Sequence, residues 1–286
     1  MNFTGIFSAL VAAFFFGLIP TITKVAYSFE ANPSLAIILR YSLASIIIIL
    51  PLLLTRIDKH LIINNILLLL VISLGSIFLT SGLLISVIFI PVSLVALIFY
   101  TYPLIVITYA FYRGKKMTTI QIVGFCSAFL GLGIAIGPSF EILNLYGILL
   151  AFLAAIGAAT VLIANEYLAK DLSAITINAF VNFTCLIVFG VIILFNKSIE
   201  FPQSSVGWYF IILASLCYCV AFYVQLIAVK NIGSSKTSLL LYLEPVIAII
   251  SAIILLNENL TKIQIIGTIM VIFSLIITTR KLRNSN

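Results

Sequence analysis

Residues 234–256 read SSKTSLLLYLEPVIAIISAIILL, and the fold turns on how this stretch is understood. It carries Lys236 near its start and Glu244 at its middle, directly before Pro245. An α-helix needs about 20 apolar residues to cross the hydrocarbon layer of a bilayer, and the stretch supplies that length. Ile247 to Leu256 does not alternate polar with apolar positions as a membrane β-strand would. The stretch therefore predicts a spanning helix with a carboxylate and a proline at mid-depth.

The rest of the chain has the same character. Of 286 residues 63% are hydrophobic and 8% charged, with a mean hydropathy of +1.32, whereas a soluble domain is about one quarter charged. The prediction is an all-α integral membrane protein with ten transmembrane helices, at about 6–28, 33–55, 62–86, 91–112, 118–137, 145–168, 173–195, 206–229, 234–256 and 262–280. The first segment has no basic leader and no small-residue cleavage site, so it reads as a retained helix. Cys126, Cys185, Cys217 and Cys219 fall inside apolar spans, where they read as small packing residues, and His60 sits in a polar loop beside Asp58 and Lys59. No metal and no cofactor is expected.

The net charge of +7 is explained by placement rather than by nucleic acid, which is not expected as a partner. Arg56, Lys59, Arg113, Lys115, Lys116, Lys170, Lys230 and the tail Arg280, Lys281 and Arg283 all fall after even-numbered helices. The other face holds Glu30, Glu141, Glu200 and Glu258, with Lys197 and Lys262 as its cations. The positive-inside rule predicts a multi-pass protein of the inner cell membrane with both termini in the cytoplasm.

The quoted stretch also has an earlier copy. Laying Pro245 over Pro103 brings Tyr242 onto Tyr100, Ser235 onto Ser93 and Gly147 onto Gly5. With a one-residue gap, LTKIQIIG at 260–267 then falls on MTTIQIVG at 117–124. The halves are residues 1–138 and 139–286. Each holds an odd number of helices, five, so the second enters the membrane inverted relative to the first. The charges agree, because the basic loop around Lys115 lies opposite the acidic loop around Glu258. Inverted repeats give a protein two related conformations of opposite sidedness, as alternating access about a midplane site requires.

Gly17 with Lys24 in the first helix, Arg40 in the second, the run Leu243-Glu244-Pro245-Val246, then Asn257-Glu258-Asn259-Leu260 and Gly267 resemble the EamA family of the drug/metabolite transporter superfamily. The resemblance covers nearly the whole chain. It implies ten helices, cytoplasmic termini, a central cavity between the halves, and movement of metabolites such as amino acids, sugars or nucleoside-type compounds.

A charge inside the bilayer costs on the order of 2.5–3.5 kcal/mol, so each buried one needs a partner, a cavity or a task. Glu244 is a candidate substrate-amine ligand or proton site; alternatively it pairs with Arg40 or Lys236 to hold the bundle together. Arg40 can meet a substrate carboxylate bidentately or snorkel outward. Lys24 is repeat-equivalent to Glu166, and that reversal of sign suggests gates at opposite faces, with snorkelling and an interfacial position as the simpler alternatives. Tyr100, Tyr102, Tyr242, Tyr218 and Tyr223 lie within helices, where they can stack on a substrate or pack with their hydroxyls satisfied by neighbours. Gly17, Pro20, Pro103 and Pro245 are hinge candidates. Gly124, Gly131, Gly133 and Gly137, with Ala158 and Ala159, permit close helix packing; a homodimer through helices five and ten is an alternative to a monomer.

No Walker loop and no hydrolase motif occurs, so the expectation is a non-enzymatic secondary transporter of a small polar metabolite, with or without proton coupling. The alternatives are a membrane-embedded lipid-processing enzyme and an accessory membrane scaffold. The expected partners are the metabolite and the lipid bilayer.

Overall fold

The computed structural model describes residues 3–55, 58–90, 92–115, 119–137, 143–196, 199–256 and 261–284. Arg56, Pro91, Lys116, Glu141, Lys197 and Glu258 lie outside the described residues, as do 257 and 259–260. In chain order the helices are α1 (Phe3–Tyr27), α2 (Pro33–Leu54), α3 (Lys59–Asn64), α4 (Ile66–Phe89), α5 (Val92–Phe99), α6 (Tyr102–Tyr112) and α7 (Thr119–Ile136). The second half repeats the pattern with α8 (Leu145–Leu168), α9 (Ala174–Asn196), α10 (Ser205–Ile232), α11 (Ser234–Leu240), α12 (Leu243–Leu256) and α13 (Lys262–Asn284). Among the described residues there is no strand.

Eight stretches are long and apolar enough to cross a membrane, and the shorter apolar helices Ile122–Ile136 and Lys262–Ser274 follow them in each half. Their outer faces present bare apolar side chains such as Leu54, 80% exposed, and Phe195, 86% exposed, which water would not tolerate in such numbers. The chain is a multi-pass membrane protein.

Two departures from the sequence reading have local causes. The loop holding His60 contains a short helix, α3, because the Asp58 side chain accepts the His60 amide hydrogen at 2.9 Å and that of Leu61 at 3.4 Å. More consequentially, the stretches read as single helices at 91–112 and 234–256 are each broken at mid-depth, into α5 and α6 and into α11 and α12. Pro103 and Pro245 lack the amide hydrogen that would continue the ladder, and the chain tightens into three-residue turns just before them. Thr101 N donates to Ile98 O at 3.1 Å, Tyr242 N to Leu239 O at 3.2 Å and Glu244 N to Leu241 O at 2.9 Å.

Packing follows the repeat. The densest seams are α1 on α10 and its counterpart, α8 on α4, while α7 packs on α13 and α2 on α9 across the two halves. Without a hydrophobic effect between helices in lipid, such seams depend on close backbone approach. A Cβ on Gly157 of α8 would lie 2.6 Å from the Leu79 nitrogen, and one on Gly82 of α4 would lie 2.6 Å from the Leu150 oxygen. On α7 a Cβ at Gly131 would fall 2.8 Å from Met270 Cβ of α13, so this small-residue face is used within the chain. Gly133 faces more space, its Cβ meeting Leu97 Cδ1 at 3.6 Å.

Candidate functional site

The two helix breaks meet at the centre of the molecule. Tyr100 and Tyr242, repeat equivalents, touch each other: the Tyr242 hydroxyl donates to the Tyr100 main-chain oxygen at 3.3 Å, 142 residues away. That oxygen is available because the ladder is interrupted there. Tyr242 is fully buried and packs edge-on to Phe125 of α7, in a cluster that also holds Val246 and Val271. Tyr100 and Tyr102 flank Phe99, with ring centroids 5.1 and 5.2 Å from it. Tyr102, the repeat equivalent of Glu244, is buried among small residues of α1 and α8, including Ala12, Ala13 and Ala158.

Glu244 lies in the first turn of α12 and is 9% exposed. Its carboxyl has the Tyr100 side chain as hydrogen-bonding neighbour. It forms no ion pair with Arg40, Lys236 or any other described residue. Its main chain is pressed against α1: a Cβ on Gly17 would lie 2.5 Å from the Glu244 oxygen and 2.7 Å from Ile247 Cβ. One turn on, the Thr21 hydroxyl bonds the Ser251 hydroxyl at 2.7 Å. The α1 helix runs through Pro20 without interruption, so Gly17 serves here as the point of contact with the broken helix.

Arg40, on α2, reaches to α10. Its guanidinium carbon is 5.0 Å above the ring of Tyr218, a cation–π contact. Tyr218 is stacked on Phe222 at 5.6 Å, meets Tyr41 edge-on at 5.6 Å, and faces Phe16 of α1 at 6.4 Å. The Arg40 side chain is half-buried and makes no ion pair with a described residue. Phe16 and Gly17, neighbours on α1, thus touch two different groups: Phe16 the ring beneath Arg40, and Gly17 the main chain of Glu244.

The other sequence candidates fall elsewhere. Lys24 is exposed near the end of α1. Tyr223 is half-buried on α10 and joins none of the ring contacts around Tyr218. Pro103 and Pro245 are buried at the two breaks.

These features accord with comparisons to known proteins. The family model described as the EamA-like transporter family matches residues 3–137 and again 145–280. The chain belongs to the EamA-like transporter family. A solved crystal structure, described only as that of a protein, superposes with a TM-score of 0.85 over 99% of this chain and 100% of its own, at 15% identity. At that identity the likeness speaks for the fold. No curated protein sequence matches the chain.

Within this EamA-like protein the sequence reading passed over a set of polar residues around Arg40. The Tyr41 hydroxyl bonds Thr80 at 2.8 Å, and the Tyr218 hydroxyl points at Asn182 Oδ1, 3.5 Å away. Asn182 in turn donates to the Asn178 main-chain oxygen at 2.8 Å. Farther from Arg40, the Asn165 amide donates to the Leu226 main-chain oxygen at 3.1 Å, and its side-chain oxygen is buried with no partner among the described residues. Asparagines inside apolar spans were the available signal, since a buried amide in lipid needs a reason to be there.

Proposed function

We propose that this EamA-like protein is a secondary carrier of a small zwitterionic metabolite of amino-acid type, working by alternating access across ten spans in the inner membrane with both termini cytoplasmic. The observation that carries the proposal is that Arg40 and Glu244, ionisable groups of opposite sign that pair with no described residue, lie next to groups touching adjacent residues of α1, Phe16 and Gly17. Held ionised at membrane depth with no counter-charge, the two groups would together cost about 5–7 kcal/mol on insertion scales. A solute with both a carboxylate and an amine relieves both at once, the guanidinium taking the carboxylate through paired N–H donors and Glu244 taking the ammonium. Without the solute, protonation of Glu244 discharges it, which offers a route to proton coupling.

The repeat supports the mechanism. The seam of α1 on α12 is more extensive than that of its counterpart α8 on α6. Two halves of like fold in unlike arrangements are what a carrier resting in one of two states displays. Binding is tested by thermal shift in detergent against a metabolite panel. At about 100 times its Kd a true ligand adds about 2.7 kcal/mol. Stabilisation by zwitterions, with much less by the corresponding amines or carboxylic acids alone, is expected; stabilisation by uncharged nucleosides only would contradict the charge-pair reading.

A further inference from the structure

On the face that carries the basic loops, one carboxylate holds three chain segments together. Glu166, in the last turn of α8, is ion-paired through Oε1 with Lys115, which follows α6. Its Oε2 accepts a hydrogen bond from the Ser234 main-chain N–H at 3.0 Å and another from the Ser234 hydroxyl. Ser234 opens α11 after Gly233, whose φ of 81° turns the chain at the end of α10. Glu166 therefore ties the end of one broken helix and the beginning of the other to α8. Beside it the hydroxyls of Tyr109 and Tyr167 meet at 2.9 Å, adding a second polar link between α6 and α8.

The opposite end is closed differently. From the central break toward that end, α1 lies against α12 through the bare main chain at Gly17 and the buried Thr21–Ser251 contact. The Glu166 seam is reached by water, with the Lys115 side chain 50% and the Glu166 side chain 24% exposed. A water-reachable ion pair exchanges its partners for solvent at small cost, whereas interlocked backbone does not.

The geometry points to Glu166 as a gate latch: opening of the basic-loop face requires it to release Lys115 and Ser234 together, so that the ends of α6 and α11 part from α8. This rests on the alternating-access reading for what passes once the face is open. Its repeat equivalent, Lys24, places the opposite charge near the other end of the molecule.

The reporter is Ser235→Cys in a chain whose native cysteines are replaced; the Ser235 hydroxyl is buried here with no partner among the described residues. A membrane-impermeant maleimide is applied from the basic-loop face, and the labelling rate is compared with and without Glu166→Gln or Lys115→Gln. Lys115 is exposed enough that its variant will fold even if the Glu166 variant does not. Both substitutions are expected to speed labelling on the order of two- to five-fold, the range for a partly exposed ion pair. As a control, a chain keeping only the native Cys185, fully buried in the core, is labelled in parallel. Unchanged labelling at position 235, or equal acceleration at Cys185, overturns the latch. Faster labelling confined to position 235 supports it even if no solute is ever carried, an outcome that would count against the carrier and not the latch.

Discussion

At the scale of single residues, the site combines groups that a sequence displays and contacts that it hides. Glu244 and Arg40 stood out because charge in an apolar run is costly. That they do not pair with each other depended on which faces of α2 and α12 meet α1, and no residue pattern specified this. Gly17 shows the same limit. As a small residue near Pro20 it reads as a hinge, yet its missing Cβ is what admits the Glu244 main chain. Gly17→Ala should therefore lower the thermal stability of the purified protein by about 1–3 kcal/mol, the usual cost of overpacking; an unchanged melting midpoint would contradict that contact. Tyr242→Phe removes the bond to the Tyr100 oxygen and should cost about 1 kcal/mol while leaving the surrounding rings in place, as read by the same melting measurement.

At the scale of elements, the spans were legible from hydropathy and the repeat from matched residues, but the breaks in the helices around Tyr100 and Tyr242 were visible only as prolines. A proline in a membrane helix often gives no more than a bend. Here the turns at Ile98–Thr101 and Leu239–Tyr242 complete the interruption, and their three-residue bonds leave no mark in composition. The seam glycines were only partly foreseen. Gly75, Gly82 and Gly157 control the α4–α8 contact, and they were overlooked because isolated glycines in apolar runs are common. Gly157→Leu should separate α4 from α8 and abolish recovery of folded protein on size exclusion. Gly133→Ala, whose added methyl would make only an ordinary contact with Leu97 at 3.6 Å, should be neutral or raise stability by about 1 kcal/mol through helix propensity. Equal behaviour of the two variants would mean that the seam is not set by backbone approach.

At the scale of the whole molecule, two repeated halves with matching breaks place Arg40 and Glu244 near a common centre and a different closure at each end. The architecture follows from the repeat; the inequality of the two closures does not, since the same fold permits either state. If Arg40 and Glu244 hold opposite ends of one solute, each is needed for flux, and Glu244 also for its coupling to protons. The decisive measurement is uptake of radiolabelled zwitterionic amino acids into proteoliposomes under an imposed pH gradient, for the native chain, Arg40→Gln and Glu244→Gln. Saturable uptake by the native protein is expected, reduced at least about ten-fold by Arg40→Gln, the size of a lost charge-assisted bond of about 1.4 kcal/mol or more, and no longer driven by the gradient in Glu244→Gln. No uptake of any zwitterion by well-folded native protein, or uptake untouched by both substitutions, would contradict the proposed carrier.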